Sequence, residues 1–421
     1  MKKIGLFLFG ICFALQMVAQ EQNYFTNPVI RGDVPDPSVI RIEDTYYATG
    51  TSSEWAPFYP MFTSKDLVNW KQVGHVFTKQ PSWTSNSFWA PELFYHNNKV
   101  YCYYTARQKS TGISYIGVAT SDSPLHEFTD HGPIVEYGKE AIDAFIYDDN
   151  GQLYISWKAY GLDTRPIELL GCKLSADGLH LDGEPFTLLV DEKGIGMEGQ
   201  YHFKEGDYYY IVYAAHGCCG PSSDYDVYVA RARNYGGPYE KYSGNPILHG
   251  GEGDYKSCGH GTVVRTSDGR MFYMCHAYLK GDGFFIGRQP ILQEMEMTDD
   301  HWVRFKTGNL AIAEQPIPFV GTKQEPLSDF EDNFKGNQLK VDWTWNYPYS
   351  DIHAVLKKGK LFLSGTPKNN NKYGTALCLR PQSPQYSCET KVINTGKGLK
   401  GLTLYGDDKN LIAWGIEGDK L

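Results

Sequence analysis

After its first twenty residues, this chain of 421 residues has no long apolar run, and it has no basic stripe anywhere. A membrane helix needs about 18 consecutive apolar residues, so the mature chain is expected to contain no membrane span. The net charge is -9, with acids and bases interspersed, which argues against a nucleic acid partner. No long stretch shows helical periodicity either. These absences leave an all-β protein as the predicted fold class.

The cysteines also lack a recognisable pattern. There are 9 of them, without the spacing of a disulfide framework or of a metal site. Cys102 and Cys275 lie within apolar strand patterns and are predicted to be small core residues. Cys218 and Cys219 are neighbours, and adjacent Cα atoms are closer than disulfide geometry prefers. We therefore expect these two to be free thiols.

The N-terminus is the exception to the absence of apolar runs. Met1-Lys2-Lys3 gives a short basic start, an apolar run follows, and small or polar residues end it at Val18-Ala19-Gln20. This order predicts a cleaved signal peptide over residues 1–20, and hence a secreted or periplasmic protein. The remaining chain of about 400 residues is too long for one ordinary compact core, so more than one domain is expected.

One short pattern returns five times along the chain. Each copy opens with a polar residue and continues into two short strands rich in tyrosine and other apolar residues. The five opening residues are Asp36, Glu92, Asp143, Glu198 and His260. A repeat of roughly 50 to 60 residues with several strands in each copy is typical of β-propeller blades. The sequence therefore predicts a five-bladed β-propeller over residues 24–318.

A different region follows the propeller. Residues 313–326 are rich in proline and break the repeat, which indicates a linker. Further strand patterns, including residues 329–334, 360–364 and 402–405, predict a β-sandwich-like module over residues 326–421. The module stops soon after its last strand pattern, so we expect it to be incomplete or unusually short.

Three of the acidic residues are candidates for catalysis. The inner strand of each blade begins near the propeller axis, so Asp36, Asp143 and Glu198 are expected to converge there. Hydrolysis of a glycosidic bond by inversion needs an acid and a base about 6.5–9.5 Å apart. A third carboxylate nearby would raise the pKa of the acid. Taken alone, Asp36 in Asp-Pro-Ser could be a turn residue, but its place in the fivefold pattern favours a site.

Six spaced motifs resemble those of glycoside hydrolase family 43. They are Val34-Pro35-Asp36-Pro37-Ser38, Phe88-Trp89-Ala90-Pro91-Glu92, Ile142-Asp143-Ala144, Met197-Glu198-Gly199, Gly259-His260-Gly261 and Gly287-Arg288. The resemblance extends over nearly the whole predicted propeller. It implies an inverting, five-bladed enzyme that acts on xylose- or arabinose-containing glycans.

The resemblance also implies roles for individual residues. Asp36 would be the general base, Glu198 the general acid, and Asp143 the residue that tunes and orients that acid. His260 and Arg288 would line the pocket, with Arg288 contacting sugar hydroxyls or the acid. In some relatives the equivalent histidine helps to hold a calcium ion, so His260 is a candidate neighbour of calcium, although no cofactor is implied as a requirement.

Aromatic residues near the motifs are candidates for stacking on sugar rings. Trp89 precedes the second acidic motif, and packing and sugar stacking are both open for it. Trp55 follows the second strand of the first repeat, and Phe285 comes shortly before the Gly-Arg motif, so both are candidate pocket walls. Glu92 is in register with the acids, but we interpret it as structural.

These features predict an exo-acting β-xylosidase or α-L-arabinofuranosidase of arabinoxylan or of xylo- or arabino-oligosaccharides. The exo action is favoured because relatives with a sandwich module after the propeller commonly close one end of the pocket with it. An endo-acting arabinanase is an alternative, since Cys218-Cys219-Gly220 resembles a stretch in some arabinan-cleaving relatives. A non-catalytic, sugar-binding propeller is a third alternative, against which the retention of three acids argues.

Overall fold

The computed structural model describes residues 23–161, 166–394, 396, 398–407 and 409–418. The predicted signal peptide lies outside these residues. Within them the one helical element is a short 3₁₀ turn, Phe284–Ile286. No helix in this part of the chain has the length and apolar character needed to span a membrane. The predicted all-β class is confirmed.

Two short strands in the first part of the chain lie outside the first two blades. The outlying strands are β1 (Tyr24–Thr26) and β4 (Trp55–Ala56). Blade 1 contains β2 (Ser38–Ile42), β3 (Thr45–Thr49), β5 (Phe58–Ser64) and β6 (Lys71–Phe77). Blade 2 contains β7 (Thr84–His96), β8 (Lys99–Gln108), β9 (Ser114–Ser121) and β10 (Thr129–Val135). Each blade is a four-stranded antiparallel sheet.

The other three blades are likewise built from consecutive strands. Blade 3 contains β11 (Ala141–Asp149), β12 (Gln152–Ala159), β13 (Glu168–Lys173) and β14 (Phe186–Val190). Blade 4 contains β15 (Glu198–Glu205), β16 (Tyr208–Ala215), β17 (Asp226–Ala232) and β18 (Glu240–Lys241). Blade 5 contains β19 (Tyr255–Arg265), β20 (Met271–Leu279), β21 (Gln289–Met297) and β22 (Val303–Phe305). The predicted five-bladed propeller is confirmed.

The ring is closed by packing and by one extra strand pair. Val39 and Ala48 of blade 1 share a buried apolar cluster with Met274 and Leu292 of blade 5. In addition, β1 pairs with β23 (Glu314–Pro316), which follows blade 5. Burial of apolar surface between the first and last blades stabilises the closed ring, and closure protects sheet edges from aggregation.

The C-terminal strands form small two-stranded sheets. β24 (Trp345–Asn346) pairs with β4 of the propeller, so the module joins the propeller by a strand pair. The other strands form two hairpins, β25 (Ser350–Leu356) with β26 (Leu361–Pro367) and β27 (Lys400–Tyr405) with β28 (Leu411–Ile416).

The predicted strand at residues 329–334 is wrong, because this segment forms no strand in the described structure. Its apolar residues, Phe330 and Phe334, instead contact the ring of Trp343. The indole nitrogen of Trp343 also donates a hydrogen bond to Asp332 (2.9 Å). The apolar spacing that suggested a strand therefore reflects packing around one tryptophan.

Candidate active site

Each inner strand changes direction near its start. In blades 2 to 5 the pairing of the first two strands is interrupted by a register shift at this point. A residue with left-handed backbone lies at the corresponding place in all five blades. These residues are Asp36 (φ 55°), Ala90 (38°), Asp143 (59°), Gly199 (61°) and His260 (44°). Because bulges and left-handed residues redirect side chains and are frequent at active sites, the five positions mark the mouth of the central channel as the candidate site.

Two of the five predicted opening residues, Glu92 and Glu198, do not occupy this left-handed position. Asp36, Asp143 and His260 occupy it in blades 1, 3 and 5. Glu198 comes one residue before it and Glu92 two residues after its own left-handed residue. The carboxyl group of Glu92 is hydrogen-bonded to Ser38, and burial raises its pKa to about 8. Glu92 therefore lies further along the inner strand than the other acids, and its structural role stays a prediction.

Glycine is required at position 199. Its backbone is left-handed, and a Cβ there would lie 2.5 Å from Cγ of His260. The Gly199 N–H also donates a hydrogen bond to Oδ2 of Asp143 (3.1 Å). The missing side chain thus allows the His260 ring to pack against the backbone beside Glu198, and it allows Asp143 to orient that backbone.

Cationic and hydrogen-bonding groups surround the carboxylate of Asp36. Thr51 donates a hydrogen bond to its Oδ2 (2.6 Å), and Nη1 of Arg288 lies 3.5 Å from Oδ1. Nδ1 of His260 and Nδ1 of His276 lie 3.4 and 3.2 Å from the same oxygen. Burial would raise the pKa of Asp36, but the charges of Arg288 and His260 and the contact with His276 outweigh it and hold the pKa well below its usual range. Asp36 is therefore ionised at neutral pH.

Glu198 has two hydrogen-bonding partners. Lys158 Nζ lies 2.6 Å from Oε2 in a nearly buried ion pair, and the Tyr225 hydroxyl donates to Oε1 (2.9 Å). Burial would raise the pKa of Glu198, but these two partners lower it. The expectation that a neighbouring carboxylate raises the pKa of this acid is therefore wrong for Glu198 itself, because the lysine outweighs the like charge.

The raised pKa belongs to Asp143. Burial, together with the charges of Glu198 and Asp36, raises the pKa of Asp143 to about 6, although the charge of His260 opposes this shift. Nδ1 of His260 lies 3.8 Å from Oδ2 of Asp143. Because the two carboxyls interact, Asp143 keeps its proton to higher pH than Glu198, whose pKa is lowered.

The surroundings of His260 do not resemble a calcium site. Its Nδ1 lies near the carboxylates of Asp36 and Asp143, so both carboxylates have this nitrogen as a neighbour without a metal ion. In the part of the chain that the structure describes, no group of three or more His, Cys, Asp or Glu side chains is arranged to hold a metal ion. Calcium prefers six to eight oxygen ligands, so the residues present do not fit direct coordination.

The site also contains three residues that were not recognised from the sequence: Lys158, Tyr225 and His276. Lys158 stands in Ile155-Ser156-Trp157-Lys158-Ala159, and His276 stands within the apolar run of β20. A charged or titratable residue inside a buried strand requires a partner, so both carried a readable signal. Tyr225 carried none, since it is one of 31 tyrosines. Its ring stacks on His276 (centroids 5.5 Å apart), which links the surroundings of Glu198 and Asp36.

The predicted aromatic residues lie in different surroundings. Trp55 meets the ring of Tyr405 edge-on (6.0 Å), and Phe285 stacks on Tyr386 (6.3 Å). Both contacts therefore join the propeller to the C-terminal module. Trp89 is half-buried and precedes the left-handed residue Ala90, whose N–H donates a hydrogen bond to the same Thr51 hydroxyl that binds Asp36 (2.7 Å).

The prediction of free thiols at Cys218 and Cys219 is wrong, because the structure joins them in a disulfide. The surrounding loop is bent: the Gly217 N–H donates to Asp224 Oδ1 (2.8 Å) and the Ser223 hydroxyl to the Gly217 carbonyl (3.0 Å). The two Cα atoms are 3.7 Å apart, so the disulfide forms at the short spacing that was expected to prevent it. Cys102 and Cys275 are buried, as predicted.

Comparison with known proteins agrees with this geometry. The family model described as glycosyl hydrolases family 43 matches residues 25–303. A xylan 1,3-β-xylosidase of a Vibrio species is 28% identical and covers 90% of this chain and 76% of its own. A non-reducing end α-L-arabinofuranosidase of Bacteroides ovatus is 28% identical and covers 97% and 78%. The crystal structure of a family 43 protein from Bacillus licheniformis superposes with a TM-score of 0.71 at 24% identity, covering 85% and 72%, which supports the fold.

Proposed function

The chain belongs to glycoside hydrolase family 43 and is a glycosidase, and on that premise we propose that it is a secreted, inverting, exo-acting β-xylosidase or α-L-arabinofuranosidase. Two of its relatives are named a xylan 1,3-β-xylosidase and a non-reducing end α-L-arabinofuranosidase. The substrates would be arabinoxylan or xylo- and arabino-oligosaccharides. Export rests on the basic start and apolar run of residues 1–20.

The observation that carries the mechanism is the opposite protonation of the acidic groups. Asp36 is held ionised chiefly by Arg288 and His260, which suits a general base. Asp143, whose pKa is raised to about 6, holds a proton beside Glu198, whose own pKa is lowered, and this proton can reach the leaving group through Glu198 on the donor side of the reaction. An inverting glycosidase needs this division between one ionised and one protonated group.

The proposed reaction proceeds in one displacement. Asp36 takes a proton from a water molecule while the water oxygen forms a bond to the anomeric carbon. The bond from that carbon to the leaving oxygen breaks, and the leaving oxygen takes a proton from Glu198. Lys158 and Tyr225 then stabilise the Glu198 carboxylate through the bonds that they already make with it. Exchange of protons with solvent restores the starting state.

Arg288 and His260 are proposed to bind the sugar as well as to surround the acids. The Arg288 guanidinium has five donors in a planar fork, and one nitrogen is directed at Asp36. The remaining donors would be available to sugar hydroxyls. Trp89 is proposed to stack on a sugar face, as aromatic rings at carbohydrate sites do.

Exo action is supported by the C-terminal module. It contacts Trp55 of β4 and Phe285 of the segment before β21, which are the two predicted pocket walls. A module that packs against two walls of the mouth would restrict the pocket to the end of a chain. Endo-acting arabinanase remains the second candidate, because the Cys218–Cys219 loop leads directly into Tyr225, the partner of Glu198.

A panel of substrates tests the proposal. The panel consists of aryl β-xyloside, aryl α-arabinofuranoside and linear arabinan, with product size recorded for the polymer. Proton NMR of the first product should show an inverted anomer, and chain ends should release single sugars. A retained anomer would refute the mechanism, oligosaccharides as first products would favour the endo alternative, and binding without turnover would favour a non-catalytic propeller.

A further inference from the structure

The segment that carries Asp36 is held by residues near Arg288 on one side. The Asp33 carboxylate accepts a hydrogen bond from the backbone N–H of Arg288 (2.8 Å), and the Val34 N–H donates to the Arg288 carbonyl (3.0 Å). A Cβ at Gly287 would lie 2.3 Å from Oδ1 of Asp33. The carboxylate therefore rests directly on the backbone that presents Arg288.

The C-terminal module contacts the same segment from the other side. Nη1 of Arg380 donates a hydrogen bond to the Asp33 carbonyl (3.4 Å). A Cβ at Gly32 would lie 2.9 Å from the Pro381 carbonyl oxygen, so the two backbones pack closely. Residues 32–34, which lead into Asp36, thus lie between the module and the Arg288 backbone.

Arg380 is itself fixed by the propeller. Its Nη2 donates a hydrogen bond to Oε1 of Gln72, and its guanidinium lies 5.6 Å from the ring centroid of Phe62. The charged or titratable groups that face it are Asp33, Asp342 and His75. A planar guanidinium held at two nitrogens by separate acceptors has little freedom, so it fixes what it contacts.

We infer that Arg380 of the C-terminal module is a positioning residue for Asp36. It holds Asp33, Asp33 holds the backbone of Arg288, and the Arg288 guanidinium lies beside the Asp36 carboxylate. The inference rests on the proposed function, since it takes Asp36 as the general base. The module therefore contributes to the water-activating step and not only to the shape of the pocket mouth.

The test compares three variants of the full chain: Arg380→Met, Arg380→Lys and Tyr347→Ala. Tyr347 anchors the same module on Phe58 and Phe88 but does not contact residues 32–36, so its variant is the matched control for loosened docking. The turnover number and KM are measured on two aryl glycosides with good and poor leaving groups, and thermal unfolding is followed for each variant.

Arg380→Met should lower kcat about tenfold and leave KM within about twofold, because small misplacements of a reacting group cost rate. The loss should be equal for both leaving groups, since water activation does not depend on the leaving group. Arg380→Lys should recover part of kcat. Tyr347→Ala should lower the unfolding temperature and keep kcat within about twofold of wild type.

The inference would be overturned by an unchanged kcat in Arg380→Met or by an equal kcat loss in Tyr347→Ala. Failure of the proposed function would look different, because Asp36→Asn would then keep wild-type activity whatever the Arg380 variants show. A loss confined to the poor leaving group would assign Arg380 to the acid side and would also refute the inference.

Discussion

Asp36 and Asp143 stand at equivalent positions in blades 1 and 3, with backbone φ of 55° and 59°, and both are buried. His260 lies within 3.8 Å of both carboxylates. Their pKa values nevertheless move in opposite directions. Blade 1 places Asp36 next to Arg288 and His276, whereas blade 3 places Asp143 next to Glu198.

The difference shows that the repeat supplies position and the neighbours supply chemistry. A left-handed residue lies near the start of the inner strand in every blade, and in blades 1, 3 and 5 it is a polar residue of the site. Whether that side chain is an ionised base or half of a protonated pair depends on residues from second strands, from the segment before β21 and from the adjacent blade. The following predictions test this contrast, from the largest expected effect to the smallest.

Asp36→Asn should remove the base while preserving size and fold. We expect kcat/KM to fall by about 10⁴, the upper end of what a general base supplies. The loss should be the same for good and poor leaving groups. Steady-state kinetics on two aryl glycosides measures this, with thermal unfolding as the control for folding. A loss below about tenfold would show that Asp36 is not the base.

The loss of activity in Glu198→Ala should depend on the leaving group of the substrate. Poor leaving groups need protonation, so their hydrolysis should slow by about 10³, within the usual range for a general acid. A good leaving group such as nitrophenolate needs little help, and the loss should be about tenfold. Equal losses on both substrates would indicate collapse of the site rather than removal of the acid.

Lys158→Met should affect only proton transfer from Glu198 to the leaving group. Without the cation that lowers the pKa of Glu198, that pKa should rise and the basic limb of the pH–rate profile should move to higher pH. We expect a loss of about tenfold in kcat, because the Glu198 carboxylate that forms on proton transfer loses its ion pair. A basic limb that moves to lower pH would contradict the assignment.

Removal of metal ions should have the smallest effect. His260 already faces the two carboxylates, and the residues around it do not form a calcium ligand set in the described chain. Activity should therefore stay within about twofold after dialysis against EDTA. A large loss restored by calcium would show that a cation takes part in the site beside these residues.

The sequence was sufficient to predict the repeat, the five blades and the convergence of the acids. It was not sufficient to place Glu92 and Glu198 correctly, because the polar pattern does not show which residue of a bulge becomes left-handed. Gly199 holds that position in blade 4, where a Cβ would collide with His260. Such a contact depends on two distant blades and is invisible in a single motif.

The charges around the acids were also beyond sequence reasoning. Lys158 meets Glu198 across 40 positions of sequence, and His276 meets Asp36 across 240. Both lie in strands whose apolar neighbours signal only burial. The pKa directions follow from these pairings, so the roles could be assigned by resemblance but their electrostatic cause could not.

The pH dependence of kcat/KM in the wild type and in Asp143→Asn tests the central claim most directly. The wild type should lose activity above about pH 6, as the Asp143–Glu198 pair loses its proton, and should keep it at lower pH because Asp36 stays ionised. In Asp143→Asn the basic limb should move to lower pH, since the like charge is gone and Lys158 remains. Glu92→Gln, the control for the other carboxyl with a raised pKa, should leave the limb in place. The account would be contradicted by a basic limb that does not move in Asp143→Asn, or by one that moves in Glu92→Gln.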